Sequence, residues 1–401
     1  MRDAVIVEAV RSPIGKRNGS LWGTHPVDLL ATVLGELTSR SRVDPGAIED
    51  HITGCVSQVG EQSINVGRNA WLAAGFDETI PSTTVDRQCG SSQQAAHFAA
   101  QGVMAGAYDL VVASGVENMT RVPMGSSMAG GAGPFPPSLM TRYEGKLVPQ
   151  GISAELIAHR WGLSRDEQDD FAYRSHIRAG AATKDGVFAG EIVPIKVSGE
   201  DGERLLEHDE GIRFDPDREK MSTLQPSFYN PQIEEMFPGQ IDWTVTAGNS
   251  SQISDGASAV LIASKEKAEE LGLRPRARFV SFSLAGDSPI VMLTAPIPAT
   301  RRVLEHAGLA LEDIEVVEIN EAFASVVLAW KKELAIADGW FEDHVNPNGG
   351  AIAVGHPLGA TGAKLLTTML HELERRGGRY GLQTMCEGGG MANAMVIERL
   401  T

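Results

Sequence analysis

Cysteine is scarce in this sequence. Cys55, Cys89 and Cys386 are the only three in 401 residues, and they lie far apart. That spacing excludes a disulfide scaffold and a cysteine zinc knuckle, whose ligands come in close pairs. Positive charge is also short: 35 Lys and Arg stand against 52 Asp and Glu, a formal net charge of −17. A nucleic-acid binder needs a basic stripe, so that class is excluded. A polyanionic ligand would need a local basic pocket, which screening over roughly 8–10 Å at physiological salt permits. Long apolar runs are missing too. None reaches the roughly 20 residues of a membrane-spanning helix, and Arg2, Asp3, Glu8 and Arg11 interrupt any signal-like start. These absences predict a cytoplasmic protein with no nucleic-acid or membrane partner and no metal.

Glycine, by contrast, is plentiful at 44 residues, which points to tight turns and close backbone approaches. Hydrophobic residues at 42% and charged residues at 22% are ordinary globular values. The length exceeds what one core serves and predicts two or three packed units.

An internal repeat organises those units. ATVLGELTSRSRVDPGAIEDHI (31–52) and ATRRVLEHAGLALEDIEVVEI (299–319) each read as an amphipathic helix, a turn and a buried strand. YDLVVASGVENM from Tyr108 and YGLQTMCEGGGM from Tyr380 are each an apolar strand entering a small-residue turn. Between the blocks, QCGSSQQAAHFAAQGVMAGA and GATGAKLLTTMLHELERRGG are glycine-led helices. Strand and helix alternating twice predict two similar α/β halves. The stretch from about Thr120 to Gly248 has no counterpart in either repeat. It opens on an irregular loop, GSSMAGGAGPFPPSLM, and continues into a helix with Ser164 as N-cap and Glu167 completing a capping box. An insertion of that size reads as a lid or recognition subdomain, or as mere decoration.

Four places carry possible chemistry. Cys89, in VDRQCGSSQQAAHF, sits where a strand gives way to a helix. The helix N-terminus predicts a lowered thiol pKa and a nucleophilic thiolate; the competing reading is a small packed hydrophobe. His356 lies between Gly355 and Pro357, in a rigid loop. It is either the base that activates a cysteine or a structural loop histidine. Cys386 precedes Gly388-Gly389-Gly390, a run able to present bare N–H groups to an oxyanion, or simply a tight turn. Asn320 and Glu321 end the second repeat's strand, where open α/β sheets place functional groups, though an ordinary cap is the plainer alternative. Cys55 has no base nearby in sequence and reads as a packed thiol.

Together these residues resemble the thiolase family. QCGSS at Cys89, NEAF at Asn320–Phe323, GHPLGATGA at His356 and CEGGG from Cys386 are similar to its four signature blocks, and TAGNSSQISDGA (246–257) to its coenzyme A segment. The resemblance runs from VIVEAVRSPIGK to ANAMVIERL, nearly the whole chain. It implies an α/β thiolase fold: two βαβαβαββ halves, each with a mixed five-stranded sheet, packed as a layered αβαβα core with an inserted loop domain. The implied bounds are 1–119 for the first half, 120–248 for the loop domain, 249–270 for the return to the first half and 271–401 for the second half.

The resemblance also implies roles. Cys89 is the nucleophile, His356 its base, and Cys386 the acid/base for the carbanion. Asn320 holds a water beside His356 in one oxyanion hole, and the N–H groups of Cys89 and Gly388 form the other. Ser251 lies near the pantetheine arm, Arg213 near the adenine nucleotide, and Phe323 and Met292 near the acyl chain. Acyl-CoA is substrate, no cofactor is held permanently, and the assembly is a homodimer or homotetramer. A Claisen condensation needs a carbon-acid base beyond the nucleophile, which explains a second cysteine beside an anion cradle; a hydrolase would not require it. The rivals are a ketoacyl-synthase-type condensing enzyme, which lacks Cys386, and a non-catalytic acyl-CoA or sterol binder, which would have lost Cys89, His356 or Cys386.

Two stretches depart from the acetyl-specific pattern. Met292-Leu293-Thr294-Ala295-Pro296 replaces MGTGP, and Pro149-Gln150-Gly151 replaces histidine-methionine-glycine. VIVEAVRSPIGKRNG, VDRQCGSSQQA, SSQISDGASAV and YGLQTMCEGGG look closest to actinobacterial thiolases of steroid and fatty-acid breakdown. A wider acyl pocket, walled by Leu293 and Gln150, is the expectation.

Overall fold

A computed structural model describes residues 2–199 and 202–400. Twelve strands occur among them: β1 Ala4–Arg11, β2 Gly15–Lys16, β3 Asp50–Gly54, β4 Ser82–Val85, β5 Leu110–Asn118, β6 Ile195–Gly199, β7 Gly202–Leu206, β8 Ser254–Ser264, β9 Ala277–Gly286, β10 Val316–Ile319, β11 Tyr380–Glu387 and β12 Met391–Arg399. The first half orders its strands β4-β3-β5-β8-β1, with β3 parallel to β4 and β5, and β8 antiparallel to β5 and β1. The second half repeats that pattern as β10-β11-β12-β9.

The halves match strand for strand except at one edge. Where the first half has β4, the second has a single parallel bridge, Val317 to Val345, so it carries four strands and not five. The two halves also join. β1 and β9 pair antiparallel at Val5–Arg278 and Ile6–Ala277, which makes one continuous sheet.

Burial explains the layering. Every residue of β5 and β8 is buried, as expected for strands covered on both faces. Helix Pro26–Ser41 turns Leu29, Leu30, Val33, Leu34 and Leu37 onto the outer face of the first half. Helices Pro296–Ala307 and Ala324–Glu333 do the same for the second. Between the halves lie helices Ser91–Ala105 and Thr361–Arg376, whose Ala95, Ala99, Leu366 and Met369 share one core with strands of both halves. These two helices touch closely. A Cβ at Gly362 would fall 2.2 Å from the Gln93 nitrogen, so only glycine fits there.

The inserted stretch leaves the first half but rests on the second. Helices Gln150–Arg160 and Arg165–Lys184 pack against Ala324–Glu333 and Ala351–Val354, and the Ser164–Glu167 capping box forms. A buried cluster ties the insertion back to β1. Arg11 Nε donates to Glu191 at 2.5 Å, and its two terminal nitrogens reach Asp209 at 2.7 and 3.0 Å. Arg11→Met would strand two buried carboxylates. It is expected to lower unfolding free energy by about 3–5 kcal/mol, read as a fall in the denaturant midpoint at unchanged slope. No helix of the described residues is long and apolar enough to cross a membrane.

Candidate active site

The first sheet delivers Cys89 through a short, stapled turn. After β4, Gln88 adopts φ 48°, a left-handed conformation uncommon for a side-chain-bearing residue. Asp86 Oδ1 accepts from the Gln88 N–H at 2.7 Å, and Ser91 Oγ accepts from Arg87 N–H at 2.9 Å while donating to Gln88 O at 2.6 Å. The turn aims Cys89 into the interface between the halves, at the start of helix Ser91–Ala105 and 3% exposed.

That enclosure corrects the expected thiol pKa. Burial first, then the nearby Glu387 charge, pushes Cys89 up to about 12, against hydrogen bonds from the N–H groups of Cys89 and Gly388 and from the Gln150 side chain. The desolvation cost of a thiolate exceeds what the helix start returns. Cys89 therefore rests as a thiol and needs a base.

His356 is built to be one. Burial pushes it down to about 4, so the ring is neutral at physiological pH. The Thr361 hydroxyl gives its only hydrogen to Pro357 O at 2.8 Å and must accept from His356 Nδ1 at 2.6 Å. The proton is thereby assigned to Nδ1, leaving Nε2 unprotonated, an acceptor. The Asn320 amide nitrogen lies 3.3 Å from Nε2 and also hydrogen-bonds Cys386, whose thiol is raised by burial foremost and by the neighbouring Cys89. One asparagine thus links base and second cysteine. Thr361→Val is expected to cut turnover roughly tenfold with KM little changed, the worth of one hydrogen bond at its upper range, while Thr361→Ser retains it. Steady-state kinetics of both variants checks this.

The structure brings Cys89, His356, Cys386, Asn320 and Gly388 together. The other predicted residues sit further out. Ser251 is half-buried, its N–H donating to Ala322 O at 2.9 Å. Arg213 is exposed and donates only its backbone N–H, to His176. Phe323 packs edge-on to Phe228 of the insertion at 6.1 Å between centroids, and Met292 is half-buried with φ 55°. Leu293 is 1% exposed and packs in the core cluster that also holds Cys386 and Phe323, and the Gln150 side chain lies beside Cys89 and favours its thiolate.

Cys55 lies in the first half's core, its thiol raised well above its ordinary value by burial and by Glu117. Glu321 is a clasp and not a reactant: it accepts from Ser175 Oγ at 2.7 Å, Asn346 at 2.9 Å and Ile352 N–H at 3.2 Å, steadying the segment that leads to His356. Sequence reasoning missed Glu117, which accepts from Val56, Ser57 and Gly359 N–H groups and so pins the His356 loop to the first half. An acid in an otherwise apolar strand was the available signal. Thr361 was missed as well, although it stands five residues after His356 in the quoted block.

The comparisons with known proteins identify the family. The thiolase N-terminal domain family matches residues 4–266 and the thiolase C-terminal domain family residues 273–399. The chain belongs to the thiolase family, and it is an acyltransferase. It is 50% identical to a steroid 3-ketoacyl-CoA thiolase of Mycobacterium tuberculosis, over all of this chain and 95% of that one. It is 42% identical to a beta-ketoadipyl-CoA thiolase of Escherichia coli, with both chains covered in full. Among solved structures, the Bacillus anthracis acetyl-CoA acetyltransferase superposes with a TM-score of 0.87 at 38% identity, over 100% of this chain and 99% of that one.

Proposed function

We propose that this thiolase cleaves, or in reverse forms, 3-ketoacyl-CoA through an acyl group carried on Cys89. The observation that carries the reading is a neutral His356 with an unprotonated Nε2, linked through Asn320 and Cys386 to the buried thiol of Cys89. In thiolysis His356 takes the Cys89 proton and the sulfur attacks the 3-keto carbon. The Cα–Cβ bond breaks, Cys386 protonates the departing carbanion of acetyl-CoA, and the thiol of free coenzyme A then takes the acyl group from Cys89. Negative charge on one carbonyl oxygen meets the N–H groups of Cys89 and Gly388; the other oxygen meets His356 and a water held by Asn320. Arg213 and Ser251 serve the coenzyme A moiety. Arg213's exposed position supports a role with phosphates on a chain otherwise strongly acidic.

The substrate reading is a bulky or medium-chain 3-ketoacyl-CoA, supported by 50% identity to a relative named for steroid substrates. Each well-buried extra methylene adds roughly 0.8 kcal/mol, about fourfold. kcat/KM for a six- or eight-carbon or ring-bearing substrate is expected to equal or exceed that for acetoacetyl-CoA. Cleavage requires free coenzyme A; coenzyme A-independent loss of substrate would indicate a hydrolase, and a steep fall in kcat/KM beyond four carbons would indicate an acetoacetyl enzyme. A cytoplasmic homo-oligomer is part of the same reading: three free cysteines fit a reducing compartment, and the sheet ends at β4, whose outer edge pairs with nothing among the described residues.

A further inference from the structure

One buried acid has no part in the mechanism above. Glu387 follows Cys386 at the end of β11; its side chain is buried, and neither carboxyl oxygen has a hydrogen-bond partner among the described residues. The carboxyl lies directly behind the nucleophile. A Cβ at Gly90, the residue after Cys89, would come within 2.0 Å of Glu387 Oε1, so the glycine leaves the space that the carboxyl fills. Asn393 stands beside it, but its amide nitrogen is committed to Gly90 O at 3.0 Å. Arg87 favours the carboxylate and Asp86 opposes it, both from the turn before Cys89. Beyond Arg87, on the helix, lies His97, buried, neutral and with neither ring nitrogen hydrogen-bonded among the described residues. A buried carboxyl left this bare is unusual, since buried polar groups are nearly always bonded.

We propose that Glu387 is a positioning residue for the reaction, standing neutral behind the two cysteines so that either can carry the site's single negative charge. This rests on the reading of Cys89 and Cys386 as nucleophile and acid/base. Three acids share one enclosed region, and like charges there disfavour each other. Glu387's charge is one of the causes holding up both thiols. Burial, opposed by Arg87, pushes Glu387 itself up to about 8, so near pH 7 it is mainly the neutral acid. A thiolate formed on Cys89, or on Cys386 when it takes a proton from carbon, then meets no opposing charge. Above pH 8 the carboxylate forms and resists it.

Iodoacetamide alkylation of Cys89 against pH tests this, with the labelled peptide identified by mass. In the native chain the rate should rise with pH and flatten above about pH 8. In Glu387→Gln the rise should continue, giving a rate roughly tenfold higher at alkaline pH, the effect of about one pKa unit, with the two proteins alike below neutrality. Glu387→Asp should restore the flattened profile. If Glu387→Gln does not fold, Glu387→Ala is read in the same way. Superimposed profiles, or slower alkaline alkylation in the neutral variant, overturn the role of Glu387 while leaving Cys89 as nucleophile. Label on Cys55 in place of Cys89 overturns the active-site reading itself.

Discussion

Cys89→Ala is expected to reduce turnover by roughly 10⁴-fold or more, with substrate binding little changed. The residual rate would reflect what oxyanion donors and positioning supply without a nucleophile. The loss should be this large because nothing nearby can substitute. Cys55 is held in the first half's core with its thiol raised well above its ordinary value. Cys386 lies beside Asn320 rather than on the stapled turn. The alanine variant should also remain folded, since it removes one sulfur atom from a small buried cluster with Met119, Leu358, Leu365 and Met385, apart from the three main cores, and its melting midpoint should stay near that of the native chain. An activity loss accompanied by unfolding would say nothing about nucleophilicity, so both measurements belong together.

Cys386→Ser is expected to separate the two halves of the reaction. Acylation of Cys89 by acetyl-CoA depends on His356, which the substitution leaves neutral and oriented by Thr361. Condensation needs a base for the α-carbon, and a serine hydroxyl is a far poorer one than a thiolate. Losing a general base typically costs about 10²–10⁴ in rate. Acylation, followed as the release of coenzyme A in the first turnover, should therefore stay near native while condensation falls by that factor. An equal fall in both steps would contradict the division of labour between the cysteines.

Much of this site was legible in the sequence, for a physical reason. Cys89, Cys386 and Asn320 stand at the end of a strand or the start of a helix, and His356 stands in the loop just after helix Ala351–Val354; those junctions are marked by glycine, proline and a switch of hydrophobic period. The repeat could be read because both halves bury the same faces in the same order. What was not legible depends on enclosure. The helix start at Cys89 predicts an acidic thiol, yet the second half and Glu387 close over the sulfur and reverse the sign. Likewise Leu293 is next to half-buried Met292 in sequence, but only the folded chain shows it turned into the core. The fifth strand expected in the second half is reduced to the Val317–Val345 bridge. No local pattern announces that shortening, because strand length at a sheet edge is set by what packs beside it.

Whether Cys89 carries the acyl group can be read from the protein itself. The native chain would be mixed with acetyl-CoA, quenched in acid within the first turnovers, digested and mapped by mass. An acetyl group is expected on the peptide holding Cys89 and on neither other cysteine, lost when free coenzyme A is added before the quench. Acetyl found first on Cys386 or Cys55, or no acetyl-enzyme at all while acetoacetyl-CoA is being cleaved, would contradict it.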